Sequence, residues 1–478
     1  MSHSPLIVWL RQDLRLSDNP ALSEAVKTGV PIIPVYILDD VHAGEWKMGG
    51  ASRVWLHHSL SSLNTSLNGK LQVATGPADR VLTDLIALTG AKGVYWNRCY
   101  EPWRVTRDTQ IKKMLETAGT ETKSFNGSLL WEPWDVLKDD GTPYRVFTPF
   151  FRKGCLSKAE PRTPIPAPVS ISFYSDKDTR ATIDSLNLRP RKPAWDQDMT
   201  PWDIGETAAQ KRLHAFLETG LKNYKEGRNI PAGHNVSRLS PHIHFGEISP
   251  HQSWHAAKQF GIAHGLEKDL DHFLSELGWR EFSHSLLYNF PTLPRKNFQP
   301  RFDSFPWQDN AEYLTHWQQG QTGYPIVDAG MRELYQTGYM HNRVRMIVGS
   351  FLVKNLLLHW HHGEDWFWDT LYDADLANNS ASWQWIAGSG ADAAPYFRIF
   401  NPVTQGEKFD PEGTYVRQYV PELASLPMKY LHQPWEAPPL VLSAAGITLG
   451  KNYPHPLVDH SKARDIALKA FEQTKNPT

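Results

Sequence analysis

The first 130 residues of the chain alternate short apolar runs with segments in which apolar residues recur every three or four positions. This alternation of strand and helix patterns predicts a βαβ series, in which a parallel sheet carries helices on both faces. Four runs are predicted as strands: LIVWL (6–10), PIIPVYIL (31–38), KLQVATG (70–76) and KGVYWN (92–97). The predicted helices are NPALSEAVKTG (19–29), SRVWLHHSLSSLNTSL (52–67), ADRVLTDLIALTG (78–90) and TRDTQIKKMLETAG (106–119).

The pattern changes twice further along the chain. Between about residues 151 and 205, Pro, Ser, Lys and Asp dominate, which predicts a long connection wrapped on the surface. After Glu206 the patterns are almost all helical. We therefore predict an α/β domain over residues 1–135, a linker over 136–205 and a large all-α domain over 206–478. Because RQDLRLSDNP rather than G-x-G-x-x-G follows the first strand, a dinucleotide site of the Rossmann type is not expected there.

One helical pattern, YMHNRVRMIVGSFLVKNLLLHW (339–360), is mostly apolar, yet Asn342, Arg343 and Arg345 lie in its first turns. Burial of such groups is costly unless they find partners. Two other segments, SELGWREF (275–282) and DADLANNSASWQW (373–385), also place polar residues in apolar, Trp-rich helices. For any single segment a buried salt-bridge network explains the pattern as well. If the three converge, they predict a pocket for a planar heterocycle.

Composition narrows the possible partners. A chain of 478 residues suggests two domains. With 50 Lys+Arg against 51 Asp+Glu the net charge is −1, so any nucleic-acid partner must be held by a local basic patch. The 19 Trp fit either a large core or rings that serve a planar ligand, a flipped base or electron transfer.

Several classes of protein are not expected from this sequence. Cys99 and Cys155 are too few for a disulfide framework or an iron–sulfur cluster. No signal peptide opens the chain, and no apolar run reaches the roughly 18 residues that a membrane span needs, so a cytoplasmic, soluble protein is expected. His242 and His244 have no acidic or Cys partner at ligand spacing, and we expect structural histidines rather than a metal site.

The chain resembles the photolyase/cryptochrome family from WLRQDLRLSDNPAL, near its N terminus, to FNPVTQGEKFD (400–410). The motifs that carry the resemblance are SRLSPHIHFGEIS, WREF, TGYPIVDAGMREL, MHNRVRM and DLANNSASWQW. It implies a Rossmann-like α/β antenna domain and a helical domain that holds a U-shaped FAD. It also implies a carbon–carbon lyase in which reduced flavin, excited by blue light, donates an electron to a pyrimidine dimer flipped out of UV-damaged DNA.

The resemblance implies a set of flavin contacts in the helical domain. In it, Arg345 pairs with Asp373 beside the isoalloxazine, where an acceptor suits flavin N3–H. It also places Asn379 opposite flavin N5. The full implied set is Tyr224, Val236, Ser237, Arg238, Leu239, Ser240, Phe273, Arg280, Arg345, Asp373, Ala374, Asp375 and Asn379.

The lesion can be argued from the residue types. Glu276 can bond an imide N–H, and Trp279 and Trp385 can form an apolar wall against splayed bases. Relatives that repair (6-4) photoproducts carry His at the positions of Asn342 and Met346, where imidazole can donate a proton. Because this chain has Asn and Met there, repair of cyclobutane dimers is the better prediction.

The remaining sites follow from the resemblance. Three tryptophans that supply electrons to the flavin match Trp383, Trp360 and Trp307, in order from cofactor to surface. The candidate DNA contacts are Arg228, Arg343, Arg398 and Gln405. For the antenna, Glu101 matches a carboxylate that holds a pterin in relatives, with Glu45 and Trp46 as weaker candidates. The expected antenna is 5,10-methenyltetrahydrofolate, with 8-hydroxy-5-deazaflavin as the alternative.

Other functions remain open at this point. SPHIHFGEIS and DADL are similar to plant cryptochromes and to class III bacterial photolyases, so a blue-light photoreceptor that signals through partners is the main alternative. A third is an electron-transfer flavoprotein without DNA activity. Signalling cryptochromes usually add a long C-terminal tail, whereas this chain stops shortly after its last predicted helix. They also tend to have Asp where this chain has Asn379. Both differences from the cryptochromes favour an enzyme. We expect a monomer without an obligate protein partner.

Overall fold

The computed structural model describes residues 4–175, 181–189, 202–393 and 397–475. Its N-terminal part contains one five-stranded sheet, in the order β3-β2-β1-β4-β5, and every strand pair is parallel. The strands are β1 (Leu6–Leu10), β2 (Ile32–Leu38), β3 (Gln72–Thr75), β4 (Gly93–Asn97) and β5 (Glu121–Phe125). β1, β2 and β4 are buried along their whole length, as expected for strands covered by helices on both faces.

Five helices belong to this α/β domain. They are α1 (Pro20–Lys27), α2 (Asp40–Ala43), α3 (Gly50–Ser66), α4 (Ala78–Thr89) and α5 (Pro102–Thr117). One apolar core lies on the face of the sheet that packs against α1 and α3, and a second core lies on the other face with α4 and α5. The predicted parallel sheet with helices on both faces is confirmed.

The chain then becomes helical. The next helices are α6 (Phe147–Pro149), α7 (Glu206–Thr219), α8 (Tyr224–Gly227), α9 (Ser240–His244), α10 (Pro250–Ala263), α11 (Glu267–Asn289), α12 (Ala311–Gln318), α13 (Pro325–Thr337) and α14 (Asn342–Ser350). They are followed by α15 (Trp360–Thr370), α16 (Leu376–Ala387), α17 (Pro402–Phe409), α18 (Thr414–Tyr419), α19 (Met428–Leu431), α20 (Pro439–Ala444) and α21 (His460–Gln473). The predicted all-α region is confirmed for the described residues.

Shorter turns connect these helices. The 3₁₀ turns are Gly44–Trp46, Ile183–Leu186, Pro300–Phe302, Pro421–Leu423 and Pro434–Glu436. Two π-helical segments, Phe150–Cys155 and Phe351–Asn355, extend α6 and α14. The long α11 contacts α10 and α16, and α16 also packs on α14 and α15. This arrangement of α11, α14, α15 and α16 positions the candidate site.

Two local predictions were wrong. The sequence showed no signal for β5, because ETKSF has a single apolar residue and lies at the exposed edge of the sheet. The segment 339–360 was predicted as mostly one helix, but α14 ends at Ser350 and passes into the π-helical segment. Leu357, with φ of 52°, then reverses the chain before α15 starts at Trp360. A left-handed leucine is set by tertiary packing, which helical periodicity does not report.

The predicted linker is partly packed into both domains. Phe147, Phe150 and Phe151 belong to the core around α11. Leu186 and Leu188 pack against the core of the sheet, and Phe173 forms a bridge with Ile32. Residues 176–180 and 190–201 of the predicted linker lie outside the described residues.

Candidate active site and flavin cavity

The three polar, Trp-rich segments lie around one cavity in the helical domain. It has a volume of about 570 Å³ and is lined from α11, α14 and α16, with further walls from α8 and α9. Its volume lies in the range of cofactor pockets. The predicted residues that line it are Tyr224, Arg228, Ser237, Leu239, Ser240, Phe273, Glu276, Trp279, Arg280, Asn342, Arg343, Arg345, Met346, Asp373, Ala374, Asp375, Asn379, Trp383 and Trp385.

A buried ion pair lies on one wall of the cavity. Arg345 donates from Nη2 to Asp373 Oδ2 at 2.8 Å, and its Nε donates to the carbonyl of Met340 at 2.7 Å. Burial opposes the charge on Arg345, but the carboxylate of Asp373 outweighs it and raises the pKa of the guanidinium. Among the described residues, the other oxygen, Asp373 Oδ1, is buried without a hydrogen-bond donor. An orphaned acceptor on the wall of a cavity calls for a donor on the ligand, as flavin N3–H would provide.

Asp375 caps the start of α16 and lies near the imidazoles of His284 and His244. Its side chain accepts from the backbone N–H of Asn378, as an N-cap residue does. His284 Nε2 lies 3.5 Å and His244 Nδ1 3.9 Å from Asp375 Oδ2. Burial opposes ionisation of Asp375, but His284 outweighs it and lowers the pKa of the carboxyl well below its usual range. A charged Asp375 therefore lines the cavity beside His284, whose pKa is raised in turn despite its burial.

The amide of Asn379 has a fixed orientation. Its Nδ2 donates to the backbone carbonyl of Glu364 at 2.9 Å. Because a carbonyl can only accept, this bond assigns the amide and leaves Oδ1 as an acceptor for the cavity that Asn379 lines. The side chain of Glu364 accepts from Ser380 Oγ at 2.6 Å and lies 3.2 Å from Arg295 Nη1. α15 therefore supports α16 behind the cavity through both its backbone and a buried carboxyl group.

Two indoles form flat walls of the cavity. Trp279 stacks on Phe147 with ring centroids 3.8 Å apart and planes within 10°. Trp385 donates from Nε1 to the carbonyl of Asp392 at 3.0 Å. Phe147, from the predicted linker, therefore fixes the ring of Trp279, and the carbonyl of Asp392 fixes that of Trp385. Between these walls, Glu276 forms an ion pair with Arg228.

The first turn of α14 supplies polar and soft groups next to these walls. His341 caps the helix by accepting from the N–H of Arg343 at 3.1 Å. Arg343 donates to Asn229 Oδ1 at 2.6 Å, contacts Met346 Sδ at 3.6 Å and lies 4.5 Å above the ring of Phe409. Burial, followed by the charge of Arg228, lowers the pKa of Arg343. Two guanidiniums thus lie close together near a half-buried edge of the cavity.

The three predicted electron-transfer tryptophans differ in their position relative to the cavity and the surface. Trp383 lines the cavity, Trp360 is fully buried, and Trp307 is half-buried. A Cβ added at Gly363 would lie 2.0 Å from Trp383 Cη2, so only glycine allows α15 to approach that ring. Trp360 donates from Nε1 to Asn297 Oδ1 at 3.1 Å.

Several predicted residues do not line this cavity. Val236 and Arg238 do not line the cavity, although Ser237 between them does. Arg238 has a φ of 51°, and its side chain lies over the ring of Tyr339. Arg398 lines a small cavity of about 30 Å³ together with Lys354 and Trp385. Gln405 lies on α17, one turn before Phe409.

The three antenna candidates lie on the α/β domain. Glu101 directly precedes α5 without a capping hydrogen bond from its side chain, and its Oε1 lies 3.3 Å from Arg104 Nε. Glu45 pairs with Arg295 at 2.9 Å, and the same guanidinium lies 4.4 Å above the ring of Trp46. Glu45 and Trp46 therefore contact the helical domain, and no hydrogen bond or ion pair between described residues joins them to Glu101.

The sequence did not identify several residues that line the cavity. Tyr339 and Met340 precede α14, Asn378 lies in the first turn of α16, and Phe282 and Leu286 continue the face of α11. Except for the amide of Asn378, these residue types carry no signal beyond an ordinary core. His244 did carry a signal, because a buried imidazole needs partners, and its Nδ1 has no hydrogen-bond partner among the described residues. His242, by contrast, is hydrogen-bonded through Nδ1 to Glu247.

Comparisons with known proteins agree with this arrangement. The family described as DNA photolyase matches residues 6–169, and that described as the FAD binding domain of DNA photolyase matches residues 273–473. A deoxyribodipyrimidine photo-lyase of Agrobacterium fabrum is 50% identical over 99% of this chain and 99% of that protein. Cryptochrome-2 of Arabidopsis thaliana is 39% identical over 98% of this chain and 79% of that protein.

A solved structure is similar along almost the whole chain. The crystal structure of a bacterial class III photolyase from Agrobacterium tumefaciens matches with a TM-score of 0.95 and 49% identity, covering 99% of this chain and 98% of that one. The two family matches and the full-length relatives cover both the sheet domain and the helical domain around the cavity. The chain therefore belongs to the photolyase/cryptochrome family.

Proposed function

We propose that this protein is a light-driven lyase that splits cyclobutane pyrimidine dimers in DNA. The observation that carries the proposal is the cavity itself. One wall offers an unpaired carboxylate oxygen for a flavin, and another offers two fixed indoles and an acid for a dimer. The full-length similarity to a deoxyribodipyrimidine photo-lyase supports it.

The residues present fit FAD. Asp373 Oδ1 accepts a ligand N–H, Arg345 pairs with the other oxygen of that carboxylate, and Asn379 Oδ1 offers a second acceptor. Ser237 and Ser240 provide hydroxyls, and Arg280 a cation, at other parts of the wall. When bound, reduced FAD supplies the electron that opens the cyclobutane ring. The protein contributes orientation through the polar groups of the wall, and its buried aromatic and aliphatic groups, such as Phe273 and Trp383, help to exclude water.

The dimer is held by groups of this chain that match its chemistry. Trp279 and Trp385 cover the splayed bases, and Phe147 and Asp392 fix the two indoles in place. Glu276 accepts an imide N–H and forms an ion pair with Arg228. Asn342 and Met346 offer an amide and a thioether, neither of which can donate a proton to a leaving hydroxyl. This set favours a cyclobutane dimer over a (6-4) photoproduct.

Electrons reach the cavity along Trp307, Trp360 and Trp383. Trp383 and Trp360 are buried, whereas Trp307 is half-buried, which suits a route that starts in solvent at Trp307. UV-damaged DNA is held by Arg228 and Arg343 beside the cavity, and by Arg398 and Gln405 further along the same domain. We propose that the protein acts in the cytoplasm as a monomer, which size-exclusion chromatography with light scattering tests.

The deciding experiment is repair of a defined substrate. Purified protein, chemically reduced, is incubated with an oligonucleotide that carries one thymine dimer, and the intact dimer is measured after blue light and in darkness. Light-dependent loss of the dimer is expected, and a (6-4) photoproduct at the same position should persist. A protein that binds FAD but leaves the dimer intact would instead be a photoreceptor like the cryptochrome relatives.

For the antenna we propose 5,10-methenyltetrahydrofolate bound near Glu101. Arg104 Nε lies 3.3 Å from Oε1 of this carboxylate, and in our proposal Oε2 accepts from the amino and N–H groups of a pterin. Trp46 is a weaker contact because Arg295 already covers one face of its ring. Mass spectrometry of the chromophore released from natively expressed protein identifies it, and Glu101→Gln should lower its content while FAD remains. Release of 8-hydroxy-5-deazaflavin would contradict the folate proposal.

A further inference from the structure

His359 lies between two of the tryptophans of the proposed electron route. Its ring centroid is 5.1 Å from that of Trp307, at 64°, and 5.6 Å from that of Trp360, at 27°. Trp307 has two ring neighbours among the described residues, His359 and Phe305. Phe305 belongs to a separate small apolar core, which does not contain Trp360. The ring of His359 is therefore the aromatic contact that joins the half-buried indole to the fully buried one.

The imidazole of His359 is held in its neutral form. Its Nδ1 accepts from the backbone N–H of His361 at 3.1 Å and so caps the start of α15. An Nδ1 that accepts carries no proton, which places the single ring proton on Nε2. Burial, followed by the neighbouring His361 and His362 and opposed by Asp365, lowers the pKa of His359 to about 4. At neutral pH the ring adds no positive charge between the two indoles.

This neutrality matters because an oxidised indole is positively charged. Trp360 donates its Nε1 proton to the side-chain oxygen of Asn297, and an amide oxygen is not a base at neutral pH. An oxidised Trp360 therefore keeps its positive charge until an electron arrives. An imidazolium in contact with it would repel that charge, strongly in a buried site of low dielectric. A neutral aromatic ring avoids this repulsion and occupies the space between Trp307 and Trp360.

We propose that His359 is a positioning residue of the electron route, whose neutral ring bridges Trp307 and Trp360. The inference rests on the proposed function of these tryptophans. The step moves one electron from Trp307 to oxidised Trp360, which returns to its neutral state. No bond forms or breaks at His359 and no proton moves there. The primary oxidant is photoexcited oxidised flavin, and an external thiol finally reduces Trp307.

A pair of variants separates the ring from the helix cap. His359→Asn keeps a side-chain acceptor for the first turn of α15 but removes the ring, whereas His359→Phe keeps a ring and removes the cap. His361→Asn is the matched control, because the imidazole of His361 contacts Trp360 at 4.0 Å but lies outside the ring pairs of Trp307. Three quantities are measured: the rate of flavin photoreduction with thiol present, the lifetime of the oxidised tryptophans by transient absorption, and the melting temperature.

We expect His359→Asn to slow photoreduction by about tenfold or more and to shorten the lifetime of the charge-separated state. His359→Phe should photoreduce near the parent rate but melt at a lower temperature, and His361→Asn should keep the parent rate. A purely structural role would give the reverse order, with Phe the more damaging change. Repair by chemically reduced His359→Asn should equal the parent.

Two results would overturn the proposal. If His359→Asn photoreduces at the parent rate while Trp307→Phe is slow, the route is correct and the bridge is wrong. If both variants photoreduce at the parent rate, the route through Trp307 fails and the bridge fails with it.

Discussion

Buried charges occur in both domains, but they are arranged differently. In the α/β domain, Asp108 accepts from Arg11 at 2.6 Å and from Arg107 at 2.8 Å, and Arg107 also lies 3.3 Å from Asp39. In the helical domain, Asp373 pairs with Arg345 through one oxygen, and its second oxygen has no donor among the described residues. The first carboxylate is satisfied by the protein, whereas the second faces a cavity of about 570 Å³.

This difference separates a structural network from a ligand site more clearly than charge or burial alone. Both clusters contain arginines next to aromatic rings: Arg345 lies over the ring of Tyr339, and Arg11 and Arg107 lie within 4.7 Å of the ring centre of Trp9. A carboxylate whose bonds are complete within the protein stabilises the fold and has no need of a ligand. One that is left with an open acceptor costs free energy until a ligand supplies the donor. The comparison therefore makes predictions for each cluster.

The largest effect is expected from Asp373→Asn. The amide cannot neutralise Arg345 and no longer offers an anionic acceptor to the cavity, so FAD affinity should fall by about 100-fold or more. Asp108→Asn is the matched control in the sheet domain. Burial opposes ionisation of Asp108, but Arg11 and Arg107 outweigh it and lower its pKa. Losing that charge should reduce the free energy of unfolding by about 3 kcal/mol and leave flavin content intact.

Flavin content of the purified variants, from absorbance, and FAD affinity, from calorimetry, test this pair. The free energy of unfolding from urea denaturation gives the second readout. Equal loss of FAD in both variants would show that the two clusters do not differ in the way proposed.

The second effect concerns the junction of the two regions, where Arg295 joins Glu45 of the α/β domain to Glu364 behind the cavity. Burial raises the pKa of Glu364 to about 8, despite Ser380 and Arg295. The folded chain therefore binds more protons than the unfolded chain between about pH 4.5 and about pH 8. The contribution of Glu364 to stability should fall as pH rises through this window and level off above it.

Glu364→Gln removes this titration and keeps an acceptor for Ser380. We expect the variant to gain on the parent protein by on the order of a few kcal/mol between about pH 5.5 and about pH 8.5. Urea denaturation at both pH values measures the difference. A constant difference between parent and variant would show that Glu364 does not titrate in this range.

A smaller effect is expected at the close approach of α15 and α16. Gly363→Ala adds a Cβ 2.0 Å from Trp383, which has to move, and overpacking of this kind costs about 1–3 kcal/mol. Gly349→Ala is the control, because its Cβ would lie 3.3 Å from Ile386 and 3.5 Å from Trp383. We expect slower photoreduction and a lower melting temperature in Gly363→Ala, and near-parent values in Gly349→Ala. Similar values in both variants would contradict the packing of Trp383 on Gly363.

Much of this arrangement follows from local sequence pattern. The parallel sheet, the helical half and the polar positions on three helices could all be predicted, because periodicity and burial cost act within one element. The pairing of Arg228 with Glu276 and the stacking of Phe147 on Trp279 could not. These contacts join residues that lie far apart in the chain, and either residue alone fits an ordinary surface or core.

The break after α14 and the strand β5 were missed for related reasons. Leu357 adopts a left-handed conformation that its residue type disfavours, so the surrounding packing must impose it. Pairing with β4 forms β5 from a segment that is polar for most of its length. In both places tertiary contacts override local preference, which a single sequence does not reveal.

The smallest effect is expected at the edge of the cavity, where the two domains should again differ. Arg343 lies near Arg228, donates a hydrogen bond to Asn229 and forms no ion pair with a carboxylate of the described residues. A phosphate would complete its bonding. Arg343→Gln should weaken binding of damaged duplex several-fold and lower the slope of log K against log salt by about 1, because one fewer counterion is displaced. Arg53, which already pairs with Asp40 at 2.7 Å on the α/β domain, is the control.

Fluorescence anisotropy with a labelled dimer-containing duplex at several salt concentrations gives both slopes. Arg53→Gln should leave the slope and the affinity at parent values, because the charge of Arg53 is already balanced by Asp40 within the protein. If the slope falls in Arg343→Gln but not in Arg53→Gln, the DNA binds to the helical domain, where the charge of Arg343 is not balanced by a carboxylate. An unchanged slope in Arg343→Gln would show that Asn229 and the ring of Phe409 are its true partners. In that case Arg343 would belong with Arg107, as a structural cation, and the contrast between the domains would be confined to Asp373.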